Sequence, residues 1–145
     1  MFSKQERSSF KYWFAHFCAF NMTALNLKAW KPKYLLHDAE KPWLKLLWGD
    51  YKKVQKWHRS HNKHHVEWML KHKTADFEAM AIDWECSRFT KEAQQLNAMQ
   101  ELVRKYNSLI EDGNRKDAWL LYTNMKRALT RLNLWNDDED PMPKV

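Results

Sequence analysis

Residues 10–27 read FKYWFAHFCAFNMTALNL. Phe10, Trp13, Phe14, Phe17, Phe20 and Ala24 recur at intervals of three and four residues, the period of one face of an α-helix. Trp30-Lys31-Pro32 ends the run, because the residue before a proline is disfavoured in helical conformation. The spacing predicts a first helix over residues 3–27 with that aromatic stripe turned to a core.

The same period continues outward. Trp43, Leu44, Leu47, Trp48, Tyr51 and Val54 predict a second helix, with Pro42 suited to its first turn and Gly49 as a kink. Asn62 is the expected N-cap of a helix carrying Val66, Trp68, Met69 and Leu70, and Thr74 that of one carrying Phe77, Met80, Ala81 and Trp84. Residues 90–110 predict an amphipathic helix through Leu96, Met99, Val103, Tyr106 and Ile110. Asp112-Gly113-Asn114 is a turn, and residues 118–134 make the last helix through Leu121, Met125, Leu129 and Leu132. The acidic segment 136–145 is expected to fray as a flexible tail.

Composition agrees. Two glycines and four prolines are too few for a fold of many short strands, and 145 residues suit one hydrophobic core. Hydrophobic residues at 44%, nine of them Trp, exclude a largely disordered chain. The expected fold is all-α: one compact bundle of five to six helices over residues 1–135. No apolar run reaches eighteen residues, so no membrane span and no membrane partner are expected, and the first ten residues lack a signal-peptide pattern. Cys18 and Cys86 form no CxxC motif, which suits free thiols in a reducing cytoplasm. A net charge of +7 favours anionic partners, or simply keeps a small protein soluble.

The chemistry lies in the histidines. All seven fall between residues 16 and 72, a crowding that packing or surface polarity does not require. His16 sits on the first helix, His37 and Asp38 are adjacent after a break, and His58, His61, His64 and His65 follow. If 58–65 were one continuous helix, His58, His61 and His65 would share a face. Asp83 lies between Ile82 and Trp84, where a buried carboxylate is costly unless a cation neutralises it. Imidazole and carboxylate together suit divalent Mn, Fe, Co, Ni or Zn, and two separate cysteines exclude an all-thiolate site. His61 and His72 are the histidines expected to stay on the surface. Arg59, Lys63 and Lys73 are candidate phosphate contacts or an ordinary solvated face, and Glu67 and Glu78 are candidate proton-transfer or orienting carboxylates. The basic residues of the last helix (Arg115, Lys116, Lys126, Arg127, Arg131) are expected to be a solvated face, with nucleic acid a lesser possibility.

His16, His37-Asp38 and Asp83, on separate helices, resemble the H…HD…D signature of the HD superfamily of metal-dependent phosphohydrolases. His37-Asp38-Ala39-Glu40-Lys41 is similar to its HDxxK variant, with Ala39-Glu40 in place of the more usual xS. The stretches LHDAEKPW, WHRSHNKHHVEW and EAMAIDWECS also resemble, in this order, a family of small bacterial and phage HD-like proteins. The likeness covers roughly residues 10–88. It implies an HD-like helical domain binding one or two divalent ions, Mg included. His16, His37, Asp38 and Asp83 would hold the first, and His58 with His64 or His65 a second. It implies a cytoplasmic phosphohydrolase acting on a small phosphorylated substrate, above all a nucleotide, with Lys41 and Arg59 on the phosphate and Glu67 moving protons. Two other readings keep the metal: a di-iron oxygenase on the HD fold, and a non-catalytic factor binding a host protein or nucleic acid.

Overall fold

The structure is a computed structural model and describes residues 2–3, 6, 9–90 and 96–142. Among these it holds seven α-helices and no strand: α1 (Phe10–Asn26), α2 (Glu40–Trp48), α3 (Tyr51–His61), α4 (Val66–His72), α5 (Phe77–Ser87), α6 (Ala98–Glu111) and α7 (Arg115–Arg131). Pro32–Leu36 forms a 3-10 turn, as does Asp137–Glu139. No helix of the described residues is long and apolar enough to cross a membrane.

Seven helices stand where five or six were expected, because Gly49 splits a run that periodicity would join. Gly49, at φ +69°, ends α2 rather than kinking it, its amide donating to the Lys45 carbonyl at 2.8 Å. Asp50 then caps α3 by accepting from the Lys52 amide. Asn62 caps the C-terminus of α3 in an extended conformation, and His65 takes the N-cap position of α4. Asp76, not Thr74, caps α5 by accepting from the Ala79 amide at 3.1 Å. The predicted helix over 90–110 begins at Ala98, behind a reciprocal Asn97–Gln100 capping box. Positions 91–95 of that prediction lie outside the described residues, as does 143–145 of the tail.

Helix α5 is the axis of the bundle. Every residue from Ala79 to Ser87 is buried, with α1 against one side and α6 and α7 against the other. Phe20, Met69, Met80, Ile82, Leu102, Leu121, Met125 and Leu129 fill the core between them. The acidic segment turns back on α7, where Tyr122 Oη donates to Asp140 Oδ2 at 2.9 Å.

The predicted inner faces of α1 and α2 are corrected. On α1 the buried residues are Tyr12, His16, Phe20, Asn21, Thr23 and Ala24, while Phe10 and Phe14 are 64% and 53% exposed. On α2 nothing is fully buried, and Trp43, Leu46 and Leu47 face solvent.

Candidate metal centre

Helix α1 brings His16 inward at a four-residue interval from both Tyr12 and Phe20. The 3-10 turn Pro32–Leu36 then delivers His37, whose ring stacks on Phe20 with centroids 3.7 Å apart. Asp38 follows at φ +56°, a left-handed conformation that Asp tolerates better than most residues. Its carbonyl accepts from Trp13 Nε1 at 2.8 Å, which ties the turn to α1. Asp83 approaches from α5 and His58 from α3. The break at Asn62 swings His64 and His65 in beside them.

Seven side chains therefore converge: His16, His37, Asp38, His58, His64, His65 and Asp83. They form two donor sets that share Asp38. In the first, His16 Nε2 and His37 Nε2 lie 2.9 and 3.1 Å from Asp83 Oδ1, 3.3 Å from each other, and each 3.6 Å from Asp38 Oδ2. In the second, His58 Nε2 and His64 Nε2 lie 2.9 and 3.3 Å from the other oxygen, Asp38 Oδ1, with a His65 nitrogen within 4.8 Å. Two ligands of one ion, each about 2.1 Å from it, sit about 3.0 Å apart at a right angle and about 3.4 Å apart at a tetrahedral one. The first set has that spacing.

Proton placement makes the same point. His58 Nδ1 meets Glu40 Oε1, which also accepts from Asn62 Nδ2 at 2.8 Å. A carboxylate there holds the proton on Nδ1 and leaves a lone pair on Nε2, aimed at another acceptor, Asp38 Oδ1. Among the described residues, Asp38 Oδ1 and the Nε2 atoms of His58, His64 and His65 are buried with no hydrogen-bond partner. Four buried polar atoms without a partner are costly, and a cation among them would relieve that cost. The residues fit a divalent ion.

Charge is arranged accordingly. Burial pushes the Asp38 carboxyl up, but His37, Lys41 and His58 outweigh it and hold the group well below the usual carboxylate range. Asp83 is depressed in the same way, its burial overcome by hydrogen bonds from His16 and His37. Burial holds the His37 imidazole down, and holds that of His65 far down with help from His64 and His58, so both stay neutral and able to donate a lone pair. Burial pushes the His64 imidazole down, but the Asp38 carboxylate 3.3 Å away outweighs it and raises the group. Lys41 Nζ lies 3.2 Å from Asp38 Oδ2, and this carboxylate outweighs burial to raise the lysine.

The other sequence candidates divide. Arg59 and Glu67 line a cavity of about 340 Å³ together with His65 and Asp83. Lys63 lines a second opening, of about 380 Å³, which reaches His37, Asp38 and His64. Lys73 is drawn away by Asp117 at 2.8 Å, and Glu78 by Lys31 at 3.5 Å. His61 stacks outward on Trp57 and His72 on Trp68, so the shared face of His58, His61 and His65 does not form. Both cysteines are free thiols, Cys86 buried and Cys18 half-buried. Glu40 was missed: the imidazole it orients is that of His58, 18 residues away, so nothing local in the sequence pairs the two. Compared with protein-family models, curated proteins and solved structures, the chain matches none.

Proposed function

We propose that the chain is a divalent-metal-dependent phosphohydrolase acting on a small phosphoester, with nucleotides the first substrates to try. The observation that carries this reading is the pair of donor sets joined by the two oxygens of Asp38, next to a cavity that Arg59, Arg104 and Lys105 help to line. Imidazole nitrogen and carboxylate oxygen suit Mn, Fe, Co, Ni or Zn, and a shared carboxylate favours two ions over one. His16, His37, Asp38 and Asp83 would hold one, and Asp38, His58, His64 and His65 the other. When bound, such ions supply a water of lowered pKa and a Lewis acid for a phosphoryl oxygen.

The chain's own groups do the rest. Glu40 keeps the proton on His58 Nδ1 and so fixes which nitrogen faces inward. Lys41 offsets part of the negative charge of Asp38 and anchors its Oδ2. Arg59 meets the phosphate from the cavity wall, where a fixed cation is worth most against developing charge. Glu67, exposed on the rim of that cavity, is placed to pass a proton to solvent.

The test is phosphate release from a panel of nucleotides and p-nitrophenyl phosphate by untagged protein supplied with Mn, Co, Ni, Zn or Mg. The expected result is metal-dependent turnover that falls at least about a hundredfold in His37→Ala and Asp38→Ala. Turnover unchanged in both variants overturns the reading, and so does oxygen consumption in place of phosphate release.

A further inference from the structure

Helix α6 carries Glu101, Arg104 and Lys105 at three- and four-residue spacing, on a face apart from its buried residues Met99, Leu102 and Leu109. That polar face forms one wall of the cavity of about 340 Å³, and Arg59 of α3 forms another. His65 and Asp83, one from each donor set, line the same space. Of the three cations, Arg104 is engaged by Glu101 at 2.6 Å. Among the described residues neither Arg59 nor Lys105 has an ion pair, although Glu67 borders the same cavity. Two uncommitted cations from separate helices thus line one cavity that also reaches the donor cluster, in a chain of net charge +7.

We infer that this cavity is the subsite for the terminal dianionic phosphate of a small phosphate monoester, held by Arg59 and Lys105 together. The inference rests on the hydrolytic reading of the metal centre and narrows its substrate class. A phosphate monoester carries close to two negative charges at neutral pH, which matches two free cations; a diester carries one. The planar guanidinium of Arg59 suits two phosphate oxygens at once, and the ammonium of Lys105 serves as a point charge. Val66 and Trp84 give the rest of the small molecule an apolar wall. A space of this volume is at the small end of ligand pockets, which suits a small phosphorylated molecule.

Inorganic phosphate is the probe. Its binding to the metal-loaded full chain is measured by calorimetry for the parent, Arg59→Gln, Lys105→Gln, the conservative Lys105→Arg, and Lys116→Gln, an exposed cation of α7 outside this cavity. Metal content and helical circular dichroism are recorded for each. The expected result is phosphate binding weakened about tenfold by each Gln variant, largely restored by Lys105→Arg, and unchanged in Lys116→Gln, with metal content constant. With p-nitrophenyl phosphate, KM should rise more than kcat falls. Parent protein that binds no phosphate, or Lys105→Gln binding it as tightly as the parent, overturns the subsite. Bis(p-nitrophenyl) phosphate turned over as fast as the monoester overturns the monoester preference. If phosphate binds through Arg59 and Lys105 and no monoester is hydrolysed, the subsite stands and the hydrolytic reading falls.

Discussion

Helix α2 and the cluster behind its first turn are built from opposite materials, each on the unexpected side. The outer surface of α2 offers Trp43, Leu46 and Leu47 to solvent, the two leucines more than three-quarters exposed. Its N-terminal turn sends Glu40 to His58 and Lys41 to Asp38, among histidines and aspartates that are almost wholly enclosed. Scattered apolar side chains on a surface are ordinary, whereas buried charge is rare unless it is paired or bound to metal. The difference teaches that the enclosed polar groups carry the chemical information here and the exposed apolar ones carry little.

The largest expected effect is at the shared carboxylate. Asp38→Asn removes charge from both donor sets, so chelator should lower the melting temperature of the parent and leave that of the variant unmoved in thermal denaturation. Next, Lys41→Met leaves Asp38 without its cation in the metal-free protein; breaking a buried pair of this kind costs about 3 kcal/mol, read by urea denaturation in chelator. Glu40→Gln should weaken metal binding about tenfold in a competition titration, because a neutral amide that can also donate replaces the carboxylate that holds the proton on His58 Nδ1.

Away from the centre the effects shrink. Burial raises the Asp76 carboxyl, but Lys33 and the Ala79 amide outweigh it and depress the group. A depressed folded-state pKa contributes stability that is present above the ordinary value of 3.8 and is lost as pH falls through the folded value. Asp76→Ala should therefore cost about 1 kcal/mol at pH 7 as a lost helix cap, and the gap should narrow as pH falls below 3.8. Leu46→Glu and Leu47→Glu should each change stability by less than about 0.5 kcal/mol, and a larger loss would contradict the exposure of α2.

Much of this was legible in the sequence for a physical reason. Helices follow from apolar spacing, and the crowding of histidines between residues 16 and 72 pointed to the seven side chains that converge. The facing of α1 was not. Apolar periodicity points to Phe10, Trp13, Phe14, Phe17, Phe20 and Ala24, of which Phe20 and Ala24 are buried, while Phe10 and Phe14 face out and His16 turns in to meet Asp83. Gly49 and Asn62 signal a break without stating its kind, since both suit helix ends of either sort. The left-handed backbone of Asp38 leaves no periodic trace. Lys105 lies in a helix whose sequence reads as amphipathic, and only the fold brings it to the same cavity as Arg59.

The most direct test is elemental analysis of untagged protein after dialysis against Mn, Co or Zn, the parent beside Asp38→Asn. The account predicts up to two divalent ions per chain in the parent and a sharp drop in the variant, both remaining helical. A parent chain that stays folded and takes up no divalent ion at all would contradict it.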